Sequence, residues 1–127
     1  MIVGIPKEIM PEENRVSATP ETVTKMIEDG LSVLVEKGAG IGSFYHDHEY
    51  AQAGAEIVAT AREVFDRSQV ILKVKEPQYN TNYCKNEADL MHEGQLLITF
   101  IHPASPVNHE MVKRLAANGV TPLTLDG

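Results

Sequence analysis

The sequence predicts a doubly wound α/β fold, in which a mainly parallel sheet lies between helices on both faces. Short β-rich runs alternate with helical patterns along all 127 residues. Several of these runs carry consecutive apolar residues rather than an alternating pattern, which is typical of strands that are covered on both faces. A chain of this length suits a single domain, predicted here to span residues 1–127.

The sequence of the first half predicts three strands and two helices. MIVGIP, SVLVE and EIVA are the strands. TPETVTKMIEDG is a helix in which Thr19 is the N-cap, Pro20 lies in the first turn and Gly30 ends the helix. DHEYAQAG is a shorter helix, with Asp47 as the predicted N-cap and Gly54 as its end.

The second half continues the alternation. TAREVFDRS is a helix with a Thr60–Glu63 capping box, followed by the strands QVILKVK and QLLITFI. NHEMVKRLAANG is a helix capped by Asn108 and ended by Gly119, and VTPLTL is a last strand that Pro122 places at a sheet edge. The irregular stretch 76–87 reads as a surface insertion. The inward-facing residues of the last helix are predicted to be Met111, Val112 and Leu115.

Composition narrows the class of protein. A net charge of −7 argues against general binding to nucleic acid or to an anionic membrane. The N-terminus lacks the apolar core of a signal peptide, and no apolar run reaches the roughly 20 residues that span a bilayer. The single cysteine, Cys84, lies in a polar loop and is interpreted as an incidental surface thiol. We therefore predict a cytoplasmic protein that does not insert into the membrane.

Two motifs resemble ligand sites but are better explained as structure. Gly38, Gly40 and Gly42 follow the second strand, yet a dinucleotide fingerprint needs a third glycine where Ser43 stands and a helix directly after it. We interpret this segment as a structural turn and assign no cofactor-binding residue. In HDHE (46–49) the histidines are two residues apart, not four as in the helical zinc motif, so we predict no metal site.

Three polar residues are placed where an α/β sheet binds ligands, beyond the carboxyl ends of its strands. Arg15 lies in the loop after the first strand, Lys75 ends QVILKVK, and His102 follows QLLITFI. Arginine binds carboxylates in bidentate fashion, lysine stabilises negative charge on a carbonyl oxygen, and histidine transfers protons near neutral pH. Together they predict a site for a 2-oxo or 2-amino acid that undergoes redox chemistry at Cα.

Each residue alone also has an ordinary explanation. A surface arginine usually has no specific role, and a histidine after an apolar strand is often hydrogen-bonded scaffold. Lys73 and Lys75 share a face by the period of two, and either can be an edge residue whose ammonium reaches the solvent. The convergence of three segments on one sheet edge is what favours a site.

The motifs PKE, ENRVSATPETV, VLVEKGAG, KVKEP and GQLLITFIHPAS resemble the N-terminal domain shared by alanine dehydrogenases and the alpha subunit of NAD(P) transhydrogenases. The resemblance runs from Met1 to Asp126 and implies a Rossmann-like (flavodoxin-like) domain. It implies that Arg15 binds the substrate carboxylate, that Lys75 contacts the substrate and that His102 is catalytic. It also implies a separate NAD(H)-binding domain later in a longer polypeptide, so that residues 1–127 alone are inactive.

The position within the family leaves alternatives. The leading hypothesis is a transhydrogenase alpha-subunit-type oxidoreductase, which passes hydride from NAD(H) to NADP(H) on a partner subunit and reaches the inner membrane through membrane subunits. The alternative is NAD-dependent oxidative deamination of L-alanine to pyruvate, which KVKEP and His102 favour. A third hypothesis is a non-catalytic module that binds a small carboxylate. Either enzyme is expected to be a homo-oligomer.

Overall fold

Six parallel strands form the central sheet of this protein, whose computed structural model describes residues 1–99 and 106–125. A small antiparallel hairpin lies outside the sheet. In chain order the strands are β1 (Ile2–Ile5), β2 (Ser32–Glu36), β3 (Glu56–Val58), β4 (Val70–Leu72), the hairpin strands β5 (Tyr79–Asn80) and β6 (Lys85–Asn86), β7 (Leu96–Thr99) and β8 (Thr121–Thr124).

The strand order across the sheet is β3-β2-β1-β4-β7-β8, and every neighbouring pair is parallel. Numbered within this sheet alone, the order is 3-2-1-4-5-6, which is the Rossmann order and not the 2-1-3-4-5 order of flavodoxin. The predicted Rossmann-like α/β class is therefore confirmed. The direction in which the sheet grows reverses at β1: β2 and β3 extend it on one side, and β4, β7 and β8 extend it on the other. Open α/β sheets bind ligands at such a switch point, which here lies between β1 and β4.

The strands bury side chains on both faces of the sheet. Val33 and Val35 of β2 pack with Val23 of the first helix on one face. Leu34, between them, packs with Phe65 of a later helix on the other. This alternation explains why the strand sequences carry consecutive apolar residues. The helices are α1 (Pro20–Glu28), α2 (Asp47–Gln52), α3 (Ala61–Arg67) and α4 (Pro106–Ala117), with single 3₁₀ turns at Ile41–Ser43 and Glu87–Asp89.

Most predicted helix boundaries are confirmed. The Thr19 hydroxyl accepts from the Thr22 N–H at the start of α1, and Gly30 follows its end with φ +90°. The Thr60 hydroxyl accepts from the Glu63 N–H, the first half of the predicted capping box. Pro122 lies on the edge strand β8, as predicted.

Four predicted details are wrong. The N-cap of α2 is His46 rather than Asp47: the His46 carbonyl accepts from the Glu49 N–H at 3.0 Å, and the His46 N–H donates to Glu49 Oε1 at 3.1 Å. Helix α4 begins at Pro106, so Asn108 lies inside it, and Val112 is exposed where it was expected to face inward. Strand β4 is also shorter than QVILKVK, since it ends at Leu72. None of the helices in the described parts of the chain has the length and apolar character needed to cross a bilayer.

Candidate functional site

Arg15 and Lys75 lie beyond the carboxyl ends of two adjacent strands. Arg15 follows β1 and Lys75 follows β4, and these strands pair directly at the switch point of the sheet. Both cations act on Glu13: the hydrogen-bonded Arg15 guanidinium, and more weakly the Lys75 charge, lower the pKa of Glu13 to about 2. A cleft of about 200 Å³ lies here, lined in part by Glu8, Glu13 and Arg15.

Glu13 holds the guanidinium of Arg15 in one orientation. Arg15 Nε donates to Glu13 Oε2 at 2.9 Å, and Nη2 donates to Oε1 at 2.7 Å. The side chain of Glu13 is only 6% exposed, whereas that of Arg15 is 66% exposed. Because Glu13 engages the Nε–Nη2 edge, the Nη1–Nη2 edge is the one that a ligand carboxylate can reach.

The glycine loop supports the segment that carries Arg15. A Cβ on Gly42 would lie 2.7 Å from the Asn14 carbonyl oxygen, so the two backbones are in contact. The hydroxyl of Ser43 donates to the same carbonyl at 2.7 Å. Gly40 lies against the Tyr50 ring, where a Cβ would approach within 2.6 Å. These close contacts give Gly40 and Gly42 a role in packing, and they tie the loop to the segment that carries Arg15.

Two further hydrogen bonds fix the chain beyond Arg15. The Ser17 hydroxyl donates to the carbonyl of Leu72 at 2.9 Å, which joins this loop to the last residue of β4. The Tyr50 hydroxyl, fully buried, donates to the carbonyl of Ala18 at 2.8 Å. Burial raises the pKa of Tyr50 to about 12, so it remains a donor at any physiological pH. Arg15 therefore projects from a loop that is anchored on both sides.

Lys75 is held through its backbone by Glu8, a residue that sequence reasoning did not single out. Glu8 Oε1 accepts from the Lys75 N–H at 3.1 Å, and Oε2 accepts from the Val74 N–H at 3.0 Å. The ammonium of Lys73 lies 3.1 Å from Glu8 Oε1 and is fully buried. Lys73 is thus a buried ion-pair partner, and the interpretation that its ammonium reaches the solvent is wrong for this residue.

The stretch 76–87 is not simply a surface insertion. It forms the β5–β6 hairpin and then delivers Glu87 into the interior, where the residue is 0% exposed. Glu87 Oε1 accepts from the Gln78 N–H at 2.9 Å and lies 3.3 Å from the Lys73 ammonium. The loop therefore contributes one member of a buried charged cluster, formed by Glu8, Lys73 and Glu87.

The remaining predicted features are His102 and the HDHE segment. His102 lies outside the described residues. The stacked rings of His46 and His48 are 5.6 Å apart, His46 caps α2, and Asp47 accepts from the Gly38 N–H at 2.9 Å. In residues 1–99 and 106–125 there is no group of three or more side chains that could hold a metal ion.

Sequence reasoning missed Glu8, Glu13 and Glu87. A signal was available for the first two, because Glu8 comes three residues after β1 and Glu13 precedes Arg15 by two residues. An acidic residue so close to a candidate binding cation is a candidate partner for it. No local pattern marked Glu87, whose burial depends on the path of the hairpin before it.

Residues 4–127 match the family model described as alanine dehydrogenase/PNT, N-terminal domain. The alanine dehydrogenase of Methanococcus maripaludis is 51% identical over 104 residues, covering 82% of this chain and 26% of that protein. A solved L-alanine dehydrogenase has a TM-score of 0.84 at 38% identity, covering 98% of this chain and 32% of that one. A transhydrogenase from Sinorhizobium meliloti has a TM-score of 0.85 at 34% identity, covering 98% and 34%. The chain thus spans about a quarter to a third of its relatives, and it belongs to the alanine dehydrogenase/PNT N-terminal domain family.

Proposed function

We propose that this chain is the substrate-side domain of an NAD-dependent alanine dehydrogenase, which interconverts L-alanine with pyruvate and ammonium. The observation that supports the proposal is that Arg15 and Lys75 follow two adjacent strands at the switch point, and that both charges lower the pKa of Glu13, which lines a cleft beside Arg15. A carboxylate and an adjacent carbonyl oxygen are the two groups of pyruvate that such a pair of cations would bind.

Each residue has a distinct role in the proposed reaction. Arg15 binds the carboxylate through the guanidinium edge that Glu13 does not occupy. Lys75 would donate to the carbonyl oxygen of pyruvate and stabilise the negative charge that develops there as ammonia adds to Cα. Loss of that oxygen as water would leave an imine, and hydride would then reduce the imine at Cα to give L-alanine. We propose that His102 transfers a proton in both directions of the reaction.

NAD(H) supplies or accepts the hydride, and we propose that a domain beyond these 127 residues binds most of it. The glycine loop is not suited to a pyrophosphate, because Gly40 and Gly42 lie against Tyr50 and the Asn14 backbone. The contribution of this chain is then to bind the substrate and orient it. A homo-oligomeric state and a cytoplasmic location remain predictions.

A transhydrogenase alpha subunit is the second candidate, and it was the leading hypothesis from the sequence. The 34% identity and TM-score of 0.85 with the Sinorhizobium meliloti protein favour it. In that case NADP(H) would lie on a partner subunit. The relatives named alanine dehydrogenase, at up to 51% identity, together with Lys75, favour the first candidate. A non-catalytic carboxylate-binding module is a third candidate, for which tight pyruvate binding by residues 1–127 alone would be evidence.

The complete polypeptide that carries this chain distinguishes the candidates. Purified protein is given NADH with pyruvate and ammonium, and in parallel, together with the candidate partner subunit that would bind NADP(H), it is given NADH with an oxidised NADP analogue. The proposal predicts NADH oxidation in the first mixture and none in the second. The reverse result would favour transhydrogenation, and inactivity in both with retained pyruvate binding would favour the binding module. The same assays on residues 1–127 are expected to show no turnover.

A further inference from the structure

We propose that Glu8 is a positioning residue for Lys75 and that buried Lys73 is the counter-ion that keeps Glu8 in place. The inference rests on the proposed function for the role of Lys75, while its structural part can be tested separately. Glu8 lines the cleft beside Arg15, but its two oxygens are already bonded to the Lys73 ammonium and to the amides of Val74 and Lys75, and Lys73 is fully buried. Their effect would pass through the backbone on which Lys75 is carried.

Glu8 determines where β4 ends. The last ladder bond after this strand runs from the Lys73 N–H to the Ile98 carbonyl at 3.0 Å. The next two amides, of Val74 and Lys75, donate to the Glu8 carboxylate instead of to a neighbouring strand. The side chain of Glu8 thus replaces the partner strand at the point where the chain leaves the sheet, and it sets the direction in which Lys75 departs.

The hydrogen-bond pattern requires Glu8 to be a carboxylate. Its two oxygens accept from three donors, the Lys73 ammonium and the amides of Val74 and Lys75. A glutamine at this position would turn an NH₂ group toward one of those donors, so at least one hydrogen bond would be lost. Because the site is buried, a donor that loses its acceptor could not bond to water instead.

Glu87 differs from Glu8, although both carboxyl groups contact Lys73. Burial raises the pKa of Glu87, which favours the neutral acid. Its Oε2 is buried and makes no hydrogen bond to the described residues. Glu87 contacts Lys73 through Oε1 and accepts from the Gln78 N–H, whereas Glu8 joins Lys73 to the amides of Val74 and Lys75. A glutamine in place of Glu87 keeps a carbonyl oxygen at the position of Oε1.

Matched glutamine variants of the two residues test this inference. In the 127-residue chain, hydrogen exchange of backbone amides is measured by NMR for wild type, Glu8→Gln and Glu87→Gln. Glu8→Gln is expected to speed exchange at Val74 and Lys75 by roughly tenfold or more, relative to Ile71 in β4, the change expected from losing one charged hydrogen bond. Glu87→Gln is expected to leave the exchange rates of both amides within about threefold of wild type, because the contacts that hold these amides change little.

The same variants are assayed in the complete polypeptide. Glu8→Gln is expected to lower kcat for pyruvate reduction by roughly tenfold or more with a smaller change in KM, because Lys75 acts mainly on charge that develops in the transition state. Unchanged exchange at Val74 and Lys75 in Glu8→Gln, or equal effects of the two variants, would overturn the inference. A wild-type polypeptide without pyruvate reduction would refute the proposed function alone, since the exchange data still decide whether Glu8 holds the Lys75 backbone.

Discussion

The backbone of Gly42 lies directly on the backbone of Asn14, so that a Cβ at Gly42 would be 2.7 Å from the Asn14 carbonyl oxygen and 2.9 Å from its Cα. The glycine loop is therefore a support for the segment that presents Arg15. Its glycines are needed because two stretches of main chain meet there, and neither can move as a flexible side chain would.

Replacing Gly42 with alanine is expected to displace the Asn14–Arg15 segment. We expect the KM for pyruvate of the complete polypeptide to rise by roughly tenfold, because a misplaced guanidinium loses its hold on the carboxylate. Overpacking at this contact should also lower the free energy of unfolding by about 1–3 kcal/mol. Steady-state kinetics and urea unfolding measure the two effects.

Gly30→Ala is the matched control for this substitution. Gly30 has φ +90°, and within the described residues a Cβ there would meet nothing within 4 Å. The substitution is expected to cost about 1–2 kcal/mol through backbone strain and to leave the KM for pyruvate unchanged. Equal effects of the two alanines on KM would contradict a specific role for the contact between Gly42 and Asn14.

The titration of Glu13 reports whether Arg15 is held as the structure describes. Its folded pKa is about 2, below the ordinary value of 4.5, chiefly because Arg15 hydrogen-bonds to it. The stabilisation that this pair provides is therefore complete above about pH 4.5 and is lost as the pH falls toward 2. NMR titration of the Glu13 carboxyl carbon measures the value directly.

Arg15→Ala should return the Glu13 pKa toward its ordinary value, while Lys75→Ala should raise it by much less. Arg15→Ala should have the larger effect because the hydrogen bond from Arg15 is the largest cause of the lowered Glu13 pKa, whereas the charge of Lys75 is the smallest. A Glu13 pKa near 4.5 in the wild-type chain would show that the pair is not formed in solution.

Lys73→Met tests the buried ion pair. Removing the ammonium leaves Glu8 buried among amides without its counter-ion, and breaking such a pair costs about 3–5 kcal/mol of unfolding free energy. Lys25→Met is the control, because that side chain is 71% exposed and should change stability by less than about 0.5 kcal/mol. Similar losses in the two variants, measured by urea unfolding, would mean that Lys73 is not buried as described.

The fold could be predicted from the sequence because its signals are local. Apolar runs such as Val33–Val35 identify strands covered on both faces, and Thr19 and Thr60 mark helix starts by chemistry that acts within one turn. The exceptions have local causes as well. His46 replaced Asp47 as the cap of α2 because the Asp47 carboxylate instead accepts from the Gly38 N–H.

The site could be predicted only in outline. The rule that ligands bind beyond the carboxyl ends of strands placed Arg15 and Lys75 at one edge. The local partner Glu13 could have been found two residues before Arg15, whereas the contacts of Glu8 and Glu87 with Lys73 and the chain after it span long distances in sequence. Glu8 bonds to residues 65–67 positions later, and Glu87 reaches Lys73 only because the β5–β6 hairpin returns it to the interior. Periodicity carries no information on such contacts.

The most direct test of the account is steady-state kinetics of pyruvate reduction by the complete polypeptide and its Arg15→Ala and Lys75→Ala variants. The account predicts that Arg15→Ala acts mainly on the KM for pyruvate, raising it by roughly a hundredfold, the scale of one lost charge-assisted bidentate contact. Lys75→Ala should act mainly on kcat, lowering it by about 10²–10³. Wild-type activity that both variants retain would contradict the central claim that these two cations form the pyruvate site.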